Sequence, residues 1–303
     1  MASLIKRRPR HKIKTSLGDK IFSVCNYAFL TFCALVCIFP LFYVLSYSLT
    51  PYQEYLANPL SLFPSHYTLQ AYKDLLDFPL IWSGYYSTLF ITIVGTLLNV
   101  TMLVITGYPL TKQHLKGRNF IMLMITFTMF FSGGMIPGYL LLRNLHLLNT
   151  YWALILPGAC SAYNLILMRN FITAIPASLE EAAFIDGANE LQILWKVIVP
   201  LCKPAIATFT LFSAVGHWNS YFSAIIYIND RDKWPLMLIV REMVANSGTD
   251  MIHQNSNLLM EDITQPFTLQ MAVIIFTIVP ILLVYPFVQK YFMKGMMIGS
   301  VKG

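Results

Sequence analysis

Ser213, His217, Trp218, Asn219, Ser220 and Tyr221 lie within an uncharged run, residues 204–229. On a continuous helix, Ser213, His217, Ser220 and Ala224 would share one face at spacings i, i+4, i+7 and i+11. Trp218 and Tyr221 offer aromatic faces suited to stacking, and Asn219 and Ser220 offer polar groups suited to hydrogen-bonding a ligand. Tyr163 and Asn164 form a second polar and aromatic pair, also in an uncharged run. The same groups serve equally well as hydrogen-bonding glue between helices. A proton relay through His217 would need a carboxylate partner, and the run holds none. The chain has no G-x-x-x-x-G-K-[ST], so it cannot cradle nucleotide phosphates in that way. No catalytic group or metal-ligand spacing is expected.

The second candidate segment is SLEEAAFIDGANELQILWKVIVP, Ser178 to Pro200, with four of the fourteen acidic residues of the chain. Ser178 and Glu181 fit the capping-box pattern, and Glu180 and Glu181 would sit in a first turn, where the helix dipole favours negative charge. Gly187 is placed to end that helix. NELQILWKVIV predicts a second short helix with Leu191, Leu194, Trp195 and Ile198 on one face, closed by Pro200. Ala182, Ala183 and Gly187 form a patch small enough for a partner to approach closely. Amphipathicity alone would equally describe an ordinary connector.

The elements that position these residues are read from charge. Hydrophobic residues make up 56% of the 303 and charged residues 12%. Asp, Glu, Lys and Arg are absent from 21–53, 78–111, 119–142, 144–168, 204–229 and 263–289. Each window exceeds the roughly 20 residues that a helix needs to cross a bilayer. An all-α, polytopic membrane protein with six transmembrane helices is expected, at about 21–49, 82–109, 119–141, 150–170, 204–228 and 267–289. With the N-terminus inside, 16 of the 21 Lys and Arg fall on the inner segments. The positive-inside rule then puts both termini in the cytoplasm. The domain map is a basic head (1–20), a six-helix domain (21–289) and a tail (290–303). Within the domain lie the cytoplasmic segment 176–200 and an external loop, 229–266.

This bias accounts for most of the formal charge of +7 without nucleic acid. The head KRRPRHKIK suits an anchor against anionic lipid. The first apolar run is too long for a signal-peptide core, and no A-x-A site follows it. Cys25, Cys33, Cys37, Cys160 and Cys202 have no metal or redox spacing and read as small apolar fillers. SGGMIPG at 132–138 interrupts the third helix. It reads either as a helix stop or as broken backbone lining a pathway.

The spacing Glu181-Ala182-Ala183, three residues, Gly187, nine residues, Val197-x-Val199-Pro200 closely resembles the EAA loop of bacterial ABC importer permeases. Val197 and Val199 replace the pattern's Ile and Leu and keep its apolar character. Six spans, the loop before helix 5 and the ending KYFMKG...GSVKG are similar to the second permease subunit of maltose-type carbohydrate importers. FSGGMIPGYLLLRNLHLLNTYWALILPG and AVGHWNSYFSAIIYINDRDKWPL resemble a branch for complex oligosaccharides or polysaccharide fragments. The resemblance implies a type I importer permease fold in the bacterial cytoplasmic membrane. It implies a second homologous permease as heterodimer partner, an ATPase dimer and an extracellular solute-binding protein. ATP and Mg2+ would belong to the ATPase, with no cofactor in this chain. Glu180, Glu181, Ala182, Ala183, Asp186 and Gly187 would lie on a coupling helix docked in the ATPase, with the tail near Lys294 close by. The residues named first would line the substrate pathway.

Three other classes compete. A non-sugar ABC permease shares every feature but the two long runs. A proton-coupled transporter should show acids within its spans and related repeats of opposed topology, and neither is present. A glycosidase needs two nearby carboxylates, and the external acids single out no pair. Asp230-Arg231-Asp232 reads as a turn, in a loop expected to meet the binding protein.

Overall fold

A computed structural model describes residues 16–57, 63–245 and 266–300. Most of the expected basic head, residues 246–265 of the expected loop and residues 301–303 of the tail lie outside the described residues. The described residues are helical and contain no strand. The helices are α1 (Leu17–Ser48), α2 (Tyr52–Ala57), α3 (Gln70–Leu76), α4 (Pro79–Gly107), α5 (Arg118–Phe130), α6 (Met135–Asn144), α7 (Trp152–Ile155) and α8 (Ala162–Thr173). They continue with α9 (Ala177–Ile185), α10 (Glu190–Ile193), α11 (Val199–Leu201), α12 (Lys203–Trp218), α13 (Phe222–Tyr227), α14 (Leu236–Ala245) and α15 (Pro266–Ser300).

Among the described residues, three helices are long and apolar enough to cross a membrane: Leu17–Ser48, Pro79–Thr111 and Phe267–Pro286. Two bent pairs would raise the number to five. The difference from the six expected spans has local causes, and the interruption expected at SGGMIPG is one of them. The third predicted span breaks at Phe131–Gly134, where α5 and α6 meet at 115°. At 1.5 Å per residue, the 13 residues of α5 reach about 20 Å, short of a bilayer core of about 30 Å. SGGMIPG therefore breaks the backbone and redirects it. The fourth predicted span divides around Pro157 and Gly158, and its second part starts afresh at Ser161, whose hydroxyl caps Asn164 N–H.

The fifth predicted span stops at Trp218, and α13 begins only at Phe222. The helical face drawn through Ser213, His217, Ser220 and Ala224 therefore does not exist beyond His217. The expected loop 229–266 also contains structure. After a turn at Arg231–Lys233, α14 buries Leu236, Leu238, Ile239 and Met243. The turn at Asp230 is as expected: its carboxylate caps Asp232 N–H, and its bond to Lys233 holds it below the usual carboxylate range. At the C-terminus α15 runs through most of the expected tail to Ser300.

The packing is built around α4. Its first half joins α3, α14 and α15 through Leu75, Leu80, Ile81, Leu236, Ile239, Leu269 and Val273. Its middle meets α7, α13 and α14 at Ile91, Ile155, Ala224 and Leu238. Its last turns pack Leu103, Val104 and Tyr108 against Met168 and Ile172 of α8, Ile193, Leu194 and Ile198, and Phe209 of α12. By contrast, α1 is exposed along most of its length. It is pinned at its end by Tyr47, whose ring meets Tyr55 and Phe267 edge-on.

Candidate functional site

The 176–200 segment is a hairpin of two short helices. Pro176 itself caps α9, so Ser178 falls inside the first turn and the predicted Ser178–Glu181 capping box does not form. The capping box sits one helix later. Gln192 N–H donates to Asn189 Oδ1 at 2.9 Å, and Asn189 N–H donates to Gln192 Oε1 at 3.0 Å. Between the helices, Gly187 adopts φ +83°, with Gly187 N–H on Phe184 O and Ala188 N–H on Ala183 O, both at 3.0 Å. That pair of bonds is a Schellman closure with glycine at its left-handed position.

The second helix differs from its predicted face. A π-turn over Leu194–Ile198 adds a residue to the helical repeat and moves the buried side to Ile193, Leu194 and Ile198. Leu191 and Trp195 are left exposed. Pro200 does not end the element: the helix runs to Leu201, and the chain then turns by 80° into α12.

Glu181, Ala182, Asp186 and Gly187 are exposed and Ala183 is half-buried. Phe184 and Ile185 project beside them, 66% and 85% exposed, an apolar pair on a charged hairpin. Neither residue is singled out by the sequence pattern, because their exposure depends on which way α9 faces. Glu180 turns inward and pairs with Lys112, which lies just beyond α4. Burial works against that ammonium, yet the bond to Glu180 raises its pKa above the ordinary lysine value. The same ammonium lies 3.6 Å from Glu190 Oε2 and 4.4 Å from the Tyr108 ring centroid. Tyr108 O–H donates to Glu190 at 2.6 Å. Lys112 was counted in the sequence only as a loop cation, because its partners are 68 and 78 residues away, beyond any local spacing signal.

The predicted pathway residues fall into three groups. Ser213, His217 and Trp218 form one, packed from α12 against α4. The His217 ring lies so close to Gly95 that a Cβ there would sit 2.6 Å from Nε2. Trp218 meets Tyr85 edge-on at 6.3 Å. Asn219, Ser220 and Tyr221 occupy the break after α12, where the Arg241 guanidinium lies 5.8 Å from the Tyr221 ring centroid. Tyr163 and Asn164 form the third group, in the first turn of α8, with Tyr163 59% exposed.

Three residues on α4 were missed. Thr92 and Asn99, with Gly95, follow the i, i+3, i+7 rhythm of one helix face, and Thr96 adjoins them. Thr92 Oγ1, Thr96 Oγ1, Asn99 Oδ1 and Trp218 Nε1 are buried without a hydrogen-bond partner. Leaving a buried polar atom unmet costs about 1–3 kcal/mol, so four of them on two packed helices form a polar seam and not a plain packing surface. Beside it, a groove of about 720 Å³ runs between α4, α12 and α15, lined by Thr92, Trp218, Lys203 and Pro280 among others. The missed signal was polar spacing inside an apolar run, which hydropathy averages away.

The described residues form a bent, glycine- and proline-interrupted bundle around one long helix, with an exposed helical hairpin before α12. The chain belongs to the family of binding-protein-dependent transport system inner membrane components, which matches residues 104–298. It is 42% identical over 293 residues to protein LplC of Bacillus subtilis, covering 97% of this chain and 99% of that one. It is 41% identical to the polygalacturonan/rhamnogalacturonan transport system permease protein YtcP of the same organism, covering 95% of this chain and all of that one. Its fold matches a chain from the crystal structure of a bacterial ABC transporter involved in the import of the acidic polysaccharide alginate. The TM-score is 0.86 at 36% identity, covering 92% of this chain and 99% of that chain. The protein is therefore a membrane-embedded ABC importer permease, working with a solute-binding protein and a partner ATPase that hydrolyses ATP.

Proposed function

We propose that this permease carries oligosaccharides or polysaccharide-derived sugars into the bacterial cytoplasm by alternating access. The observation that carries the sugar reading is end-to-end identity of 41% with a polygalacturonan/rhamnogalacturonan permease, supported by the fold match to the alginate importer. In this reading the chain pairs with a second, homologous permease and spans the membrane six times, counting broken segments as spans. Both termini are cytoplasmic. The 176–200 hairpin faces the ATPase dimer as a coupling helix, with Glu181, Ala182, Ala183, Asp186 and Gly187 at the contact and Glu180 behind it. The exposed Phe184–Ile185 pair supports docking, since apolar side chains of this size gain most when a partner covers them.

The pathway runs beside the α4–α12 seam. Ser213, His217 and Trp218 of α12 contribute to that seam with Thr92, Thr96 and Asn99 of α4, and Asn219, Ser220 and Tyr221 stand at its broken end. Tyr163 and Asn164 belong to the same pathway from α8. Residues 229–266 face the binding protein. ATP with Mg2+ acts only in the ATPase. ATP binding and loaded binding protein favour an outward-facing pathway because each has differential affinity for the two states.

The test is mass spectrometry of the ligand carried by the solute-binding protein that co-purifies with the complex. An oligosaccharide, uronic-acid-containing or neutral, is the expected result. A peptide, amino acid or metal chelate would overturn the sugar reading.

A further inference from the structure

The 3₁₀ turn Pro109–Thr111 after α4 is where four helices are tied together. Lys112 follows it and forms an ion pair with Glu180 of α9. Its ammonium also stands 3.6 Å from Glu190, the first residue of α10. Tyr108, which precedes the turn, donates its hydroxyl to Glu190 at 2.6 Å. From the other side, Arg169 Nε of α8 donates to Leu110 O at 3.0 Å. The Lys112 and Glu180 side chains are only 17% and 22% exposed, so water screens this pair far less than a surface pair.

Glu180 and Glu190 enter from the two arms of the hairpin and would repel each other without a cation between them. One ammonium bridges both. Because α4 continues from this turn to the polar seam at Thr92, Gly95, Thr96 and Asn99, a force on the hairpin is delivered to the helix that lines the seam. Leu110, Ile193 and Leu194 belong to one buried apolar cluster, which keeps the turn close to the hairpin.

We infer that Lys112 is the positioning residue that locks both arms of the 176–200 hairpin to the end of α4, so that hairpin and α4 move as one body during transport. This rests on the reading of the hairpin as the coupling helix. Lys112 touches neither ATP nor sugar and acts through Glu180 and Glu190. Tyr108 fixes the Glu190 carboxylate for it.

The test uses the assembled complex in lipid nanodiscs, with spin labels on cysteines placed at the exposed His114 and Leu191, outside the Phe184–Ile185 docking pair, in a background lacking the native cysteines. The distance distribution between the labels is recorded without nucleotide and after trapping with ATP and vanadate. With Lys112 present, the two states give the same narrow distribution. With Lys112→Met the distribution shifts and broadens on trapping, and ATP-driven uptake is lost while hydrolysis continues. Lys112→Arg restores both readouts, because its guanidinium can bridge the two carboxylates. An unshifted distribution together with wild-type uptake in Lys112→Met would overturn the tether. If that variant fails to insert, Tyr108→Phe, which removes the hydroxyl that Glu190 and the Lys112 ammonium share, decides by the same distance readout. Absence of ATP-driven uptake in the unsubstituted complex would sink the importer reading, and the label distances would still decide the tether.

Discussion

Gly187 and Gly95 each exclude a side chain, for opposite reasons. At Gly95 the obstacle is space, since the His217 ring occupies the volume a Cβ would need. At Gly187 nothing lies within 4 Å, and the demand is conformational, φ +83°. An L-residue in that region costs about 1–2 kcal/mol, and a β-branched one is the least tolerated. Gly187→Val should therefore open the Schellman closure between α9 and α10, while Gly187→Asn should keep it, because asparagine tolerates left-handed backbone. ATP-driven uptake in reconstituted complexes should fall strongly for valine and stay near normal for asparagine, with equal membrane insertion. Equal uptake for both variants would show that the glycine is not held for its backbone.

The hairpin is the element whose surface and interior diverge most. Its inner side is committed to Leu194, Ile198 and the Lys112 cluster, whereas Phe184 and Ile185 point away from the subunit. A charge placed on the outer pair should leave the chain's own stability within about 0.5 kcal/mol, the usual range for surface substitutions. Phe184→Asp with Ile185→Asp should nonetheless remove the ATPase from the purified complex. A double variant that retains the ATPase and its uptake would place the docking contact elsewhere.

How far such elements could be read in advance followed the physics of each. The long helices α1, α4 and α15 were legible because uncharged runs of that length have no other stable form in lipid. The EAA spacing pointed to the 176–200 segment, and Gly187 was correctly placed as its turn. The capping box was misassigned because Ser178–Glu181 satisfies the pattern locally while Pro176 starts the helix earlier. The face of the second helix was missed because a π-turn alters the period on which the reading depends. The break in the third span was legible from SGGMIPG at 132–138, whereas those at Pro157–Gly158 and Asn219–Ser220 lie in runs whose hydropathy remains high enough to hide them. The Lys112 cluster and the α4 seam required tertiary neighbours, which no window supplies.

At the scale of the whole molecule, one helix connects the two regions that matter. The α4 helix carries the polar seam along its middle and ends at the turn tied to the hairpin. A motion imposed at the hairpin has a short, packed route to the seam along α4. Nearly all of α1 stays uncovered by this chain, and in the proposed assembly lipid and the second permease cover it. The central claim is that this chain transports sugar only as the membrane part of an ATP-driven assembly. The direct measurement is uptake of polygalacturonan-derived oligosaccharides into proteoliposomes holding both permeases and the ATPase, with loaded binding protein outside and ATP inside. Uptake should require ATP and binding protein together, and should stop when the ATPase is omitted. Accumulation without the ATPase, or driven by a proton gradient alone, would contradict the account.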